Sequence, residues 1–447
     1  MSLRTLLFEH AEPELRRIDD YERVGGYAQL RRALRLDRQA VLDELLAANV
    51  RGRGGAGFPM GRKASFLPKP DQTPKPIYLA VNADESEPGT FKDREIMLRV
   101  PHLVLEGILI ASYTIGAKAA FVYLRGEYLT EFEVFKAALE EARERGYVGA
   151  NILASGYSVS VVVHRGAGAY ICGEETGLLN SLEGERGQPR SKPPFPAIAG
   201  LYGSPTLINN VETLATVPKI LAMGGEQYAE LGVENSTGTR VFSLSGNVAR
   251  GGNYELELGT SLRELVYDLG GGIPDGRKLK AIIPGGSSVP VLTADEIDTP
   301  ADFDSIQAAG SFLGSAAIIV VDDRACMVQL ALRAEKFYMH ESCGKCTPCR
   351  EGTRWMVRLL EKIESGQAEH ADLDLLRGIC NRIEGRSLCA LGDFAVWPVR
   401  SYIDKYRAEF EAHIDEGGCP YGGESSIEGV IAPIDQHTHS PVAEVPA

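Results

Sequence analysis

The tightest constraint on how this chain folds is a run of three cysteines, Cys343-Gly344-Lys345-Cys346-Thr347-Pro348-Cys349, answered by a fourth, Cys389, forty residues further on. C-x2-C-x2-C spacing sets three thiolates around one face of a cubane iron–sulfur cluster, and a remote fourth closes it. A fold that accepts such a group must return the segment Gly385-Arg386-Ser387-Leu388-Cys389 to the cysteine loop. Zinc is the rival occupant, although structural zinc sites are more often built from two separated ligand pairs than from one triple run. The other four cysteines, Cys172, Cys326, Cys380 and Cys419, stand alone in the sequence and read as small buried hydrophobes or ordinary thiols. Thiolate ligands also need a reducing compartment.

At 447 residues the chain exceeds one core and calls for two to four domains. With 44% hydrophobic and 24% charged residues it is a folded protein throughout most of its length. Its net charge of −14 argues against a nucleic-acid partner, which needs a basic footprint, and against direct adhesion to anionic lipid. The most apolar stretch, 102–111, is interrupted by Glu106 and reads as a buried helix rather than a membrane span. The first ten residues lack an apolar signal core and a cleavage site. The expectation is a cytoplasmic protein without direct membrane insertion.

The fold class expected is multidomain: α/β, then α+β, then all-α. Residues 1–62 are helical and end in a glycine-rich loop. Over 63–230 strand-like runs (77–81, 119–124, 158–163) alternate with helical ones (101–114, 128–145), the order of a mostly parallel, Rossmann-like sheet; one more helix is expected over 211–223. Residues 231–325 hold short strands around one helix and suggest a β-grasp-like module. Residues 326–415 are helical, a four-helix bundle with the cysteines at helix starts and loops. The tail, 416–447, mixes Gly, Ser, Pro and His and is expected to be flexible.

Gly52, Gly54 and Gly57 match G-x-G-x-x-G, with Gly55 between them, but the run follows a helix rather than a strand, so a standard dinucleotide turn is rejected. A loop poor in β-carbons still lets backbone N–H groups approach a phosphate or a flat ring. Arg53 and Lys63 offer charge for phosphates, and Phe58 and Phe66 offer stacking surfaces. The plain alternative is a surface turn with two core phenylalanines. The strand ending at Val81 empties into Asn82, Asp84, Glu85 and Glu87, groups suited to hydroxyls of a ribityl chain or ribose, or, taken alone, equally to a solvated acidic loop. A second acidic set, 166–176 with Tyr170, Gly173, Glu174 and Glu175, follows the third strand. A carboxylate pair for acid–base hydrolysis competes here but leaves the cysteines unexplained. Lys192-Pro193-Pro194-Phe195-Pro196 is a stiff segment presenting one ammonium and one ring, either an adenine platform or a rigid linker. Asn209 and Asn210, before Thr213, suit a helix cap or a ring-edge contact.

These motifs together resemble the NADH-binding flavoprotein subunits of bacterial NADH:quinone oxidoreductase (respiratory complex I), over nearly all of residues 1–420. The resemblance implies FMN, one 4Fe–4S cluster and NADH as substrate, with the β-grasp-like module of SLBB type. It implies FMN contacts from Gly52, Gly54, Gly55, Gly57, Lys63, Asn82, Asp84, Tyr170, Gly173, Glu174, Glu175, Ile208, Asn209, Asn210 and Thr213. Phe58, Phe66, Glu87, Glu175, Lys192 and Phe195 would hold NADH, and Cys343, Cys346, Cys349 and Cys389 the cluster. It further implies hydride transfer by stacking, with no catalytic side chain, then single-electron steps toward quinone. Expected partners are a thioredoxin-like 2Fe–2S subunit and a large multi-cluster iron–sulfur subunit, holding the chain at the cytoplasmic face of the membrane. The stretch 68–76 is longer than the family pattern, and the tail from Asp415 has no family role. Two alternatives stand beside this reading: a diaphorase subunit of an NAD-linked hydrogenase or formate dehydrogenase, and a zinc-bound scaffold with no activity.

Overall fold

Strand-forming residues between 78 and 210 assemble into one parallel sheet in a computed structural model of the chain, which describes residues 5–11 and 13–430. The chain forms two units. One is built mainly from residues up to 241 and takes in 255–259; the other is built from 242 onward and takes in 87–90.

In the first unit, α1 (Arg38–Ala47) and α2 (Met60–Ser65) flank the glycine-rich loop. There follow β1 (Tyr78–Ala83), α3 (Lys92–Arg99), α4 (Pro101–Ile115), β2 (Ala119–Leu124), α5 (Leu129–Glu144) and β3 (Ser160–Arg165). The unit continues with α6 (Glu175–Leu182), β4 (Thr206–Asn210), α7 (Val211–Ala215) and α8 (Val217–Met223). The sheet order is β3-β2-β1-β4, all parallel. The chain steps from β1 to β2 on one side and returns to β4 on the other, so the order reverses beside β1. Ligands of open α/β sheets bind beyond the carboxyl ends of strands at such a point.

Helix α4 lies in the core because it is apolar on every side. Pro101 opens it, Gly116 at φ 70° closes it, and every residue but Tyr113 is buried. Ile108, Leu109 and Ile110 are wholly buried, each contributing about 1.5–3 kcal/mol of apolar burial. Gly107 is required: a β-carbon there would stand 1.9 Å from the Leu214 carbonyl oxygen of α7. Glu106, the charge that interrupts the apolar run, accepts hydrogen bonds from the N–H groups of Tyr27, Gln29 and Leu30 at 2.9–3.0 Å and from the Tyr21 hydroxyl at 2.5 Å. It thereby caps the helix Ala28–Ala33, while burial raises its carboxyl above the usual range.

The structure adds elements that the sequence reading lacked. Strand β4 is one: its Thr-Leu-Ile-Asn-Asn run ends in residues depleted from strands, and pairing with β1 outweighs that preference. The helix expected over 211–223 divides at Thr216, ahead of Pro218, which lacks the N–H a continuous helix needs.

A second sheet, drawn mostly from the second unit, consists of β5 (Thr239–Gly246), β6 (Gly252–Glu257), β7 (Leu279–Ile283), β8 (Leu292–Thr293) and β9 (Ala317–Asp322) in the order β8-β7-β9-β5-β6. Strand β9 runs parallel to β5 and antiparallel to β7. Four helices follow: α9 (Met327–Glu341), α10 (Thr347–Glu364), α11 (His370–Ile383) and α12 (Leu391–Asp415). Helices α9 and α11 each pack against α10 and α12. On α10, Met356, Val357, Leu360 and Ile363 face the core while Arg354, Arg358 and Glu361 face outward, the stripe of an amphipathic helix. Among the described residues no single helix is long and apolar enough to cross a membrane.

The expected flexible tail needs correction as far as Val430. The chain turns at Gly417 and Gly418, both at positive φ, and buries Ile427 and Val430 in the second unit's core. Two apolar side chains in an otherwise polar segment supply the burial that holds it. The remainder of that expectation, 431–447, lies outside the described residues.

Candidate nucleotide site and metal centre

The glycine loop is closed by two hydrogen bonds, Gly52 N–H to the Phe58 carbonyl at 3.0 Å and Arg51 Nε to the Gly57 carbonyl at 2.9 Å. Gly55 and Gly57 sit at φ 133° and 65°, where side chains strain the backbone. Gly54 packs on Asn210 so closely that a β-carbon would lie 3.0 Å from the asparagine Cβ. Arg53 does not serve as a phosphate ligand. Its side chain is fully buried and donates to the carbonyls of Thr237 and Thr239 at 2.8 Å, while its N–H donates to Thr213 Oγ1 at 2.9 Å. The arginine anchors the loop from beneath.

At the carboxyl end of β1, Asn82 donates to the Gly173 carbonyl at 2.7 Å and accepts from the Asp84 N–H at 3.1 Å, joining the two acidic loops. Tyr170 belongs to the helical turn Tyr170–Gly173 that forms the second loop, and Ile208 is buried in β4. Asn210 is consumed by the protein: it caps α7 by accepting from the Glu212 N–H, accepts from Lys92, and donates to Asp93 at 2.6 Å. Its neighbour Asn209 differs. The Asn209 Nδ2 group is buried and has no hydrogen-bond partner among the described residues. A buried donor left unmade is costly, so such a group marks a place where a ligand acceptor fits.

Glu174 caps α6, accepting from the N–H groups of Thr176 and Gly177 at 2.8 and 2.9 Å. Lys192 bridges Glu174 at 3.1 Å and Glu175 at 2.5 Å, and Lys63 reaches Glu175 at 3.3 Å. Burial alone would raise the Glu175 carboxyl; the Lys63 and Lys192 ammonium groups overcome it and hold it below the usual carboxylate range. Phe58 and Phe66 lie 6.0 Å apart and are 43% and 53% exposed, and Phe195 is 58% exposed. The core alternative for the first two therefore fails, and all three rings present surface that a base can cover. Glu87 belongs to the second unit, where it accepts from the Ser288 N–H at 2.8 Å.

In the second unit Cys346 is the N-cap of α10 and Cys349 lies in its first turn, where unpaired helix N–H groups favour negative charge. Cys343 lies in the loop between α9 and α10, and Gly344 at φ 74° turns that loop. Arg350 ties the loop to the helix by donating to the Gly344 carbonyl at 2.8 Å. The segment bearing Cys389 returns to this loop, the Leu388 N–H donating to Cys346 Sγ at 3.5 Å. Burial, together with the neighbouring Cys346 and Cys343, pushes the Cys349 thiol up to about 11. Glu335, near Cys349, is fully buried, and burial raises its carboxyl far above the usual range, favouring the neutral acid. Of the four cysteines read as solitary, Cys172 and Cys380 are buried, whereas Cys326 and Cys419 lie within reach of His413 and Glu364. Linear spacing carries no sign of that grouping.

A three-cysteine loop at a helix start, met by the segment bearing a fourth cysteine, and a glycine-rich loop by the switch point of a parallel sheet, carried on one chain, are the features of an iron–sulfur redox protein that also binds a nucleotide cofactor. The Nuo51 FMN-binding domain matches residues 45–219, the SLBB domain 241–292, and the NADH-ubiquinone oxidoreductase-F iron-sulfur binding region 329–413. An F-type NADH-quinone oxidoreductase subunit of Rhizobium meliloti is 53% identical over 410 residues, covering 92% of this chain and 97% of the relative. The F-type subunit of Streptomyces coelicolor is 50% identical over 410 residues, 92% of this chain and 91% of the relative. An NAD+-reducing NiFe hydrogenase in the H2-reduced state is similar in structure at TM-score 0.76 and 36% identity, covering 85% of this chain and 63% of that one. The chain belongs to the family of F-type NADH-quinone oxidoreductase subunits. Its cofactors are FMN and a 4Fe–4S cluster, and the residues fit both: the buried Asn209 donor and the glycine cradle for the flavin, the cysteine loop with the returning Leu388-Cys389 segment for the cluster.

Proposed function

We propose that the chain is the NADH-oxidising subunit of a respiratory NADH:quinone oxidoreductase, with FMN seated at the switch point of the parallel sheet. FMN is needed because NADH gives electrons in pairs while a 4Fe–4S cluster accepts them singly. The protein's part is positional. The loop of Gly52, Gly54, Gly55 and Gly57 gives the flavin close access to backbone N–H groups, and Asn209 supplies a ring-edge donor. Asn82, Asp84, Tyr170, Gly173 and Glu174 line the ribityl side, Lys63 adds charge, and Ile208, Asn210 and Thr213 brace the floor. Phe58, Phe66 and Phe195 stack on NADH, while Lys192 and Glu175 bond its polar groups. No side chain acts as acid or base in hydride transfer; near-attack stacking suffices. Cys343, Cys346, Cys349 and Cys389 hold the cluster. In domain terms, 63–230 with the loop of 1–62 is the Rossmann-like FMN and NADH part, 231–325 is the β-grasp-like module, and 326–415 is the cluster-bearing four-helix bundle.

Electrons leave through a thioredoxin-like 2Fe–2S subunit and a larger multi-cluster subunit, which hold the chain at the cytoplasmic face of the membrane. The observation that carries the flavin placement is the buried, partnerless Asn209 donor near the carboxyl end of β4. Anaerobically purified protein is expected to contain FMN, iron and sulfide. Asn209→Ala is expected to weaken FMN binding about tenfold, one hydrogen bond to a buried donor, with iron retained. Cys346→Ser is expected to lose iron and the reduced-cluster paramagnetic signal with FMN retained. Unchanged FMN affinity in the first variant refutes the placement.

A second reading, a diaphorase subunit of an NAD-linked hydrogenase, is favoured by the likeness to the NAD+-reducing hydrogenase. Membranes from cells lacking this chain separate the two. Loss of NADH:quinone activity, restored by the gene, supports the first. Unchanged quinone activity with lost hydrogen-dependent NAD+ reduction supports the second.

A further inference from the structure

Two of the cysteines that stand alone in the sequence are neighbours in space. Cys326 is the N-cap of α9, Glu364 ends α10, His413 lies in the last turn of α12, and Cys419 follows the turn at Gly417 and Gly418. One ligand atom from each lies within 4.8 Å of the other three. Cys326 Sγ is 3.3 Å from His413 Nε2, and that nitrogen is 3.3 Å from Glu364 Oε2. Zinc–sulfur bonds of about 2.3 Å and zinc–nitrogen or zinc–oxygen bonds of about 2.0–2.2 Å imply tetrahedron edges of roughly 3.3–3.8 Å. Both nitrogen-centred edges are therefore close to coordination length before any ion is added.

The surrounding groups orient these atoms as the outer shell of a metal site does. His413 Nδ1 donates to the Glu409 carbonyl at 2.6 Å, which fixes the tautomer and turns the Nε2 lone pair toward the other three ligands. Gln329 Nε2 donates to Glu364 Oε1 at 2.8 Å and approaches Cys419 Sγ at 3.6 Å. The remaining oxygen, Glu364 Oε2, is buried and has no hydrogen bond among the described residues, although it faces the imidazole nitrogen. Without an ion that oxygen has, among the described residues, only the imidazole nitrogen at 3.3 Å for a neighbour; a shared cation would bind both.

We propose that Cys326, Glu364, His413 and Cys419 bind a structural zinc ion that ties the segment 416–430 to the ends of three helices. Two thiols, one imidazole and one carboxylate suit zinc rather than magnesium or calcium, and four protein ligands leave no open position for catalysis. The site is separate from the cluster. Cys326 precedes α9 and Cys343 follows it, so the length of that helix, roughly 20 Å, lies between them.

The test uses the full chain purified anaerobically with flavin and cluster bound. Metal analysis is expected to give about one zinc per chain beside the cluster iron. Zinc-edge X-ray absorption is expected to show two sulfur neighbours at about 2.3 Å and two lighter ones at about 2.0 Å. His413→Gln with Cys419→Ser is expected to lower bound zinc more than tenfold while FMN and iron counts stay unchanged. Zinc surviving that double substitution overturns the proposal. So does a protein that takes up no zinc from added zinc chloride, or a Cys326–Cys419 disulfide found by peptide mapping without reduction. Should the double variant not fold, the wild-type spectrum decides alone: four sulfur neighbours, or none, overturns the assignment.

Discussion

Glu212 is the buried carboxylate that Lys92, Arg240 and Arg53 share, and replacing it with alanine should be among the costliest single changes in the first unit. Its side chain is fully buried, 2.8 Å from Lys92 Nζ, and its other oxygen accepts the Val241 N–H at 2.9 Å. Burial raises its carboxyl, but Lys92, Arg240 and Arg53 pull it below the usual range, so it is ionised. Burial pushes Arg240 down to about 9, with Glu212 opposing the shift. Glu212→Ala thus takes away the carboxylate shared by Lys92, Arg240 and Arg53, leaving Lys92 with Asp93 and Glu85, and strands one backbone donor. Breaking a buried ion pair from one side costs about 3–5 kcal/mol, on the order of 10 °C in the melting of a unit this size. Glu212→Gln keeps the acceptor for Val241 and should lose roughly half as much. Lys92→Met with Glu212→Leu removes both charges and should cost far less than the two single changes together. Urea denaturation followed by circular dichroism, read at the first transition because two units need not unfold as one, gives the numbers. A Glu212→Ala loss below about 1 kcal/mol, or additive costs in the double variant, refutes the reasoning.

Lys192→Ala removes one of the two ammonium groups holding Glu175 ionised, and the KM for NADH should rise about tenfold, or 1.4 kcal/mol, with FMN content unchanged. Burial pushes His102 down to about 4 from an ordinary 6.5 despite Glu141 nearby, so it is neutral when folded. The unfolded chain then binds more protons between those values, and the contribution is complete above pH 6.5 and lost as pH falls toward 4, at most about 3 kcal/mol. Glu85, pushed up to about 7 by burial and Asp93, acts with the opposite sign, so the measurement is the difference in acid stability between wild type and His102→Gln. A variant with the same slope disproves the assignment. Burial favours the neutral acid at Glu335, so Glu335→Gln should move the cluster potential in a redox titration by less than about 60 mV, the tenfold step of a one-electron couple; a larger rise means that the acid carries charge.

The cysteine run is legible because three ligands of one centre sit within seven residues, and α9 to α12 because each carries a long apolar stripe. Strand β4 is not legible: two asparagines end it, and only the neighbouring β1 makes them strand residues. The ion pairs of Lys63 and Lys192 with Glu175 are invisible for another reason. Each residue type was foreseeable as a ligand contact, but which charge meets which depends on loops converging from three places in the chain. The grouping of Cys326, Glu364, His413 and Cys419 lies still further out of reach, since its ligands come from the ends of three helices and a turn beyond the last.

Arg53 shows why a motif is not a list of ligand contacts. A guanidinium in a glycine-rich loop invites a phosphate, yet here it donates inward to two carbonyls and its loop N–H is held by Thr213. A loop rich in glycine loses more conformational entropy on ordering than any other, so something must hold it before a cofactor can. The buried arginine, with Thr213 and Asn210 below it, does that holding, and the division of labour follows from burial. Charged groups that bond to the protein's own backbone stiffen the cradle. On the proposed function, ligand recognition falls to groups with capacity left over: the Asn209 donor, the exposed phenylalanine rings and the partly exposed Lys63, Glu175 and Lys192.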